Sequence, residues 1–132
     1  MYYLDTNTCI YFLNGKYPAV REHLLSIDPA EICIPAIVKS ELLTGAYKSN
    51  QKSRVLAKLD VFLRQFECES FTGDMAYSYA DIRSELEQKG KTIGPNDLMI
   101  AATVVSRDGI LVTHNLGEFK RVPGLKLEDW TR

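Results

Sequence analysis

With 132 residues the chain is long enough to bury most of the surface that its unfolded form exposes, so neither a disulfide frame nor a structural metal is required for folding. Its 45% hydrophobic and 25% charged content excludes a disordered or fibrous protein. A net charge of −1 excludes a domain that holds polyanions by overall basicity. Locally the charge divides. Residues 48–64 carry five basic side chains against Asp60, and residues 67–87 carry six acids against Arg83. The basic stretch reads equally as a strip for a polyanion or as a solvated helix face. No apolar run reaches membrane-spanning length, and Tyr2-Tyr3-Leu4-Asp5 follows the first residue without a basic segment or cleavage site, so a cytoplasmic protein with no membrane association is expected. Cys9, Cys33 and Cys68 are odd in number and widely spaced, the pattern of reduced core thiols.

In chain order, residues 1–4 form a short apolar run that stops at Asp5-Thr6-Asn7, a buried strand delivering the chain into a polar turn. A short helix is predicted over 8–13, closed by Asn14-Gly15. A second covers 18–27, with Val20, Leu24 and Ile27 inward, and Asp28-Pro29 ends it. Residues 31–34 have strand composition, and Pro35 fits the first turn of a helix running from 36 to about 48. A long amphipathic helix spans 50–66, with Val55, Leu59, Phe62, Leu63 and Phe66 inward. A strand over 67–71 precedes a helix from Gly73 to Lys89-Gly90, with Met75, Tyr79, Ile82 and Leu86 in register. The helical spacing of Tyr77 and Tyr79 points to core or a dimer interface before it points to base stacking.

Pro95 opens the next helix, and from Leu98 to Val105 only Thr103 is polar, so that helix must lie inside the protein. Asp108-Gly109 closes it. Residues 110–113 make a strand entering His114-Asn115-Leu116-Gly117-Glu118-Phe119, and 125–127 form a short edge strand after Val122-Pro123-Gly124. Short apolar strands alternating with helices predict one α/β domain over 1–132, a three-layer sandwich with a mostly parallel central sheet.

Two acids stand out on these elements. Asp97 lies at the mouth of the buried helix, where a carboxylate also serves simply to complement a first turn. Glu41 falls within the stripe of Ile37, Val38, Leu42 and Gly45, where a carboxylate requires an ion pair or a metal. In an open parallel sheet, ligands bind at the carboxyl ends of strands where strand order reverses. Asp5 ends the first strand and Thr113 the strand after the buried helix, so adjacency of those strands would gather Asp5, Glu41, Asp97 and Thr113 in one crevice. Two carboxylates about 4 Å apart repel by roughly 4 kcal/mol at an effective dielectric near 20. Protons or a cation must compensate. Oxygen ligands without a His or Cys cluster select Mg²⁺ or Mn²⁺, and such a pocket suits phosphodiester cleavage.

Tyr3-Leu4-Asp5-Thr6-Asn7, Val38-Lys39-Ser40-Glu41-Leu42-Leu43-Thr44-Gly45, Gly94-Pro95-Asn96-Asp97-Leu98 and Leu111-Val112-Thr113-His114-Asn115 through Glu118-Phe119 occur in that order. Together they resemble PIN-domain ribonucleases, and among them the VapC toxins of bacterial toxin–antitoxin pairs, essentially from end to end. The resemblance implies Mg²⁺-dependent RNA cleavage, a homodimer and inhibition by a VapB antitoxin. It makes Asp5 and Asp97 the principal metal ligands, gives Glu41 the metal or its water, and has Thr113 orient the acids. Asn115 departs from the family, many members of which have aspartate there, and leaves open whether Glu118 replaces that charge or holds a second ion. The most similar subgroup implies initiator tRNA, cut in the anticodon stem-loop, as substrate.

Two other classes compete. A phosphoacceptor signalling domain would want adjacent acids after the first strand and a lysine before a late proline, whereas Asp5 precedes Thr6-Asn7 and Pro123 follows Val122. A PIN-like module that binds RNA or protein without cutting is weighed against by the presence of all three core acids.

Overall fold

The computed structural model describes residues 1–132. Five strands form one sheet: β1 (Tyr2–Leu4), β2 (Ile32–Pro35), β3 (Glu67–Glu69), β4 (Ile110–Val112) and β5 (Lys126–Glu128), in the order β3-β2-β1-β4-β5. Every neighbouring pair is parallel. The composition of each strand follows its position. β2 is buried along its length, whereas the edge strands β3 and β5 alternate with Glu67, Glu69, Lys126 and Glu128, charges that blunt a free edge.

Seven helices connect and cover the sheet: α1 (Thr6–Asn14), α2 (Pro18–Ser26), α3 (Ala36–Lys48), α4 (Lys52–Leu63), α5 (Gly73–Gln88), α6 (Pro95–Ser106) and α7 (Leu116–Phe119). A single 3₁₀ turn, Pro29–Glu31, leads into β2. α6 is buried at Leu98 and from Ile100 to Val104, as a sequence apolar but for Thr103 requires. Burying each of its large aliphatic side chains contributes about 1.5–3 kcal/mol. At the turn from α6 into β4, Asp108 adopts a left-handed φ of 52°. Gly109 then passes so close to the Tyr3 ring that a Cβ would collide with it.

Several expectations are corrected. α1 begins at Thr6 rather than Thr8, because Asp5 is its N-cap. α7 falls on the segment after β4, to which the sequence assigns no element. On α3 the buried residues are Val38, Leu42 and Ala46, so the inward stripe is rotated away from Gly45, which is exposed, and Glu41 lies half-buried at its border. Cys68 is exposed on the edge strand, unlike Cys9 and Cys33. Tyr77 is 82% exposed and is no part of the core.

The register sets up the site. Strand order reverses between β1 and β4, with Leu4 opposite Val112, so Asp5 and Thr113 leave the sheet side by side. The Asp5 amide donates to the Val112 carbonyl at 3.2 Å and the Thr113 amide to the Glu128 carbonyl at 2.9 Å, which fixes both residues to the end of the sheet.

Candidate active site

Asp5 is held by both carboxylate oxygens. Oδ1 accepts from the Thr8 amide at 2.8 Å, and Oδ2 accepts from the Thr113 hydroxyl at 2.6 Å. The Asn115 amide donates to Thr113 Oγ1 at 3.0 Å, so the hydroxyl proton is free to point at Asp5. Thr8 in turn ties α1 to β4 by donating to the Val112 carbonyl at 3.2 Å. The aspartate is only 5% exposed, and burial raises its pKa; hydrogen bonds from Thr113 and Thr8 oppose that rise, and Glu41 adds to it.

Glu41 reaches the same place from α3. Its Oε1 accepts from the Thr6 hydroxyl at 2.7 Å and its Oε2 from Asn96 Nδ2 at 3.4 Å, so the first turns of α1 and α6 both grip it. Asp97 follows Asn96 in the first turn of α6. Burial pushes its pKa up to about 6, with Glu118, Glu41 and Asp5 each adding repulsion and a hydrogen bond to Glu118 favouring the protonated form. Glu118 stands in the first turn of α7, where Asn115 Nδ2 donates to its Oε2 at 3.2 Å. The six residues singled out in the sequence, Asp5, Glu41, Asp97, Thr113, Asn115 and Glu118, therefore meet in one network. Sequence reasoning passes over the supports: Thr6 falls in the predicted polar turn, Thr8 opens the predicted helix over 8–13, and Asn96 lies beside Asp97 at a helix start. The run of hydroxyls around Asp5 was the available signal.

None of the four carboxylates is ion-paired with lysine, arginine or histidine. What offsets their repulsion is softer: Asp5, Asp97 and Glu118 all stand at helix N-termini, where exposed N–H groups favour negative charge. An oxygen-only donor set that raises the pKa of one of its own members fits a hard divalent cation. No three acidic, histidine or cysteine side chains are already arranged to enclose an ion.

Beside the pocket, His114 Nδ1 lies 3.0 Å from Asp129 Oδ2, so this loop histidine is anchored rather than free.

The PIN domain family model matches residues 2–125. The chain is similar to Ribonuclease VapC2 of Rickettsia felis, 42% identical over 100% of this chain and 99% of that protein. It is also 40% identical to the tRNA(fMet)-specific endonuclease VapC of Salmonella typhimurium, over 96% of each chain. The crystal structure of VapBC2 from Rickettsia felis bound to a promoter DNA fragment contains a chain that superposes with a TM-score of 0.92, at 41% identity and over 98% of both chains. These matches set aside the phosphoacceptor alternative. The chain belongs to the PIN-domain family and, within it, to the VapC ribonucleases.

Proposed function

We propose that residues 1–132 act as one nuclease domain, an endoribonuclease toxin that hydrolyses RNA phosphodiester bonds with Mg²⁺, or Mn²⁺ in its place, and is silenced by a VapB-type antitoxin. The observation that carries this reading is the uncompensated acidic network in which Asp97 is pushed up to about 6. Asp5 and Asp97 would hold the ion, and Glu41, steadied by Thr6 and Asn96, would orient a water toward phosphorus. Thr113 fixes the Asp5 carboxylate through its hydroxyl, and Asn115 steers Glu118 toward Asp97. Bound there, the ion would supply charge to lower the pKa of a water, align it and stabilise the leaving oxygen. In the reaction one phosphorus–oxygen ester bond breaks as a bond from phosphorus to the water oxygen forms, and the leaving oxygen takes up a proton.

For the substrate we favour tRNA, and initiator tRNA in particular because the Salmonella relative is a tRNA(fMet)-specific endonuclease; the anticodon stem-loop as the place of cutting is what the motif resemblance implies. A homodimer in the cytoplasm completes the reading; no helix is long and apolar enough to cross a membrane. The test is incubation of the purified protein, freed of antitoxin, with total tRNA in Mg²⁺ or in EDTA, followed by mapping of the new ends. Cleavage confined to initiator tRNA and dependent on Mg²⁺ is expected. Intact RNA in both conditions contradicts the reading.

A further inference from the structure

α1 ends at Gly15, whose φ of 72° turns the chain back so that Lys16 and Tyr17 lie against Tyr11. The Tyr11 and Tyr17 rings meet edge to face at 4.8 Å, and the Lys16 ammonium stands 5.5 Å from both ring centroids. The His114 ring completes the group, 5.6 Å from Tyr17 and 6.3 Å from Tyr11. These four side chains are at the surface: both tyrosines are half-buried, Lys16 is exposed, and the His114 side chain is 46% exposed.

The histidine is held in place. Its Nδ1 faces Asp129, whose side chain is only 8% exposed and is itself fixed by the Thr131 amide at 3.0 Å and the Thr131 hydroxyl at 2.7 Å. With Nδ1 engaged, Nε2 is left for an external partner. His114 also directly follows Thr113, whose hydroxyl grips Asp5. A strand whose phosphate sits at the acids must therefore run either onto this cluster or away from it. The acids can meet a phosphate only through an ion, so the flanking nucleotide needs contacts beside the pocket, and the cluster offers ring faces together with a cation.

We propose that Tyr17, His114 and Lys16, backed by Tyr11, form a subsite for the nucleotide adjoining the scissile bond, its base stacked on the aromatic rings and its phosphate met by Lys16. This subsite rests on the nuclease reading above. Stacking needs only a π-face, so it is tolerant of base identity and serves to place an unpaired strand across the pocket. A protein segment is the less fitting occupant, because every ring here carries a polar head.

The test uses Asp97→Asn protein in Mg²⁺ and fluorescence anisotropy with two labelled oligoribonucleotides of equal length, one with bases and one abasic. Tyr17→Leu added to this background is expected to weaken the base-bearing strand by about five- to a hundredfold and the abasic strand by less than about twofold. Lys16→Gln, at an exposed position that packing does not constrain, is expected to weaken both strands alike and to reduce the salt slope by about one. Equal loss on both strands for Tyr17→Leu, or no loss for either variant, overturns the subsite. So does loss of antitoxin binding with RNA affinities unchanged, which would assign the cluster to the protein partner. Cleavage of tRNA by the unsubstituted protein decides the nuclease reading separately, so the subsite can fall while that reading stands.

Discussion

Glu69 and Asp74 each face the Arg107 guanidinium, at 3.0 and 2.8 Å, whereas Asp5, Glu41, Asp97 and Glu118 face one another with no cation among them. Asp74 in the first region and Asp97 in the second are the same side chain shifted in opposite directions. Hydrogen bonds from Thr72 and Arg107 hold Asp74 below the usual carboxylate range, and burial with neighbouring acids lifts Asp97 above it. The fold neutralises acids where they serve as structure. It leaves the pocket acids to helix N-termini and hydroxyls, which orient a carboxylate without cancelling its charge. That incomplete compensation is the observation that supports the cation site proposed for the pocket.

The largest expected effect breaks the pocket side of this comparison. Asp5→Ala or Asp97→Ala should lower tRNA cleavage by more than about a hundredfold, above the cost of losing an outer-sphere metal partner, with the fold retained by circular dichroism. Parent-like rates in either variant would remove these acids from the chemistry. Thr113→Val keeps the shape of the side chain and removes the donor to Asp5 Oδ2, and a fall in rate of about ten- to a hundredfold is expected, with a higher Mg²⁺ requirement. Glu118→Ala should raise the Mg²⁺ concentration needed for half-maximal rate, because Glu118 is the acid whose charge weighs most on Asp97. An unchanged metal titration would reduce it to a helix-start residue.

How much of this was legible in the sequence follows from how local each signal is. α6 announces itself through a run apolar but for Thr103, and β1 and β4 through short runs that stop at polar residues, so the adjacency of Asp5 and Thr113 could be anticipated from strand ends alone. Glu41 was placed on the right helix but on the wrong part of its surface, because one helical stripe fits several rotations and only packing selected Val38, Leu42 and Ala46. α7 has four residues, too few for any periodicity, so the bond from Asn115 to Glu118 was hidden with it. The three residues of β3 likewise could not reveal that Cys68 faces outward. The cluster of Tyr11, Tyr17 and His114 joins residues about a hundred positions apart through the β1–β4 register and the Gly15 turn, neither of which is written in any one motif.

Smaller effects sharpen the contrast through stability. The folded pKa of Asp97 is raised to about 6, so the folded state binds more protons than the unfolded one between the usual carboxylate value and about 6. Stability tied to this group is thus complete at low pH and is lost as pH rises through about 6. In EDTA, Asp97→Asn should raise the melting temperature at pH 7.5 by a few degrees, about 1 kcal/mol after solvent screening, and should give no gain near pH 4. A gain of equal size at both pH values would place its cause outside the repulsion. Arg107→Met is the smallest case: a slight fall in melting temperature with tRNA cleavage unchanged, measured on the same preparations, is expected of a solvent-exposed ion pair.

The central claim is that these four acids leave a charge deficit that a divalent ion fills. Calorimetric titration of Mn²⁺ into antitoxin-free protein, alongside the Asp97→Ala variant, tests it most directly. Saturable uptake by the parent, lost or severely weakened in the variant, is the predicted result. Absence of uptake by the parent, or identical uptake by both proteins, would contradict the account.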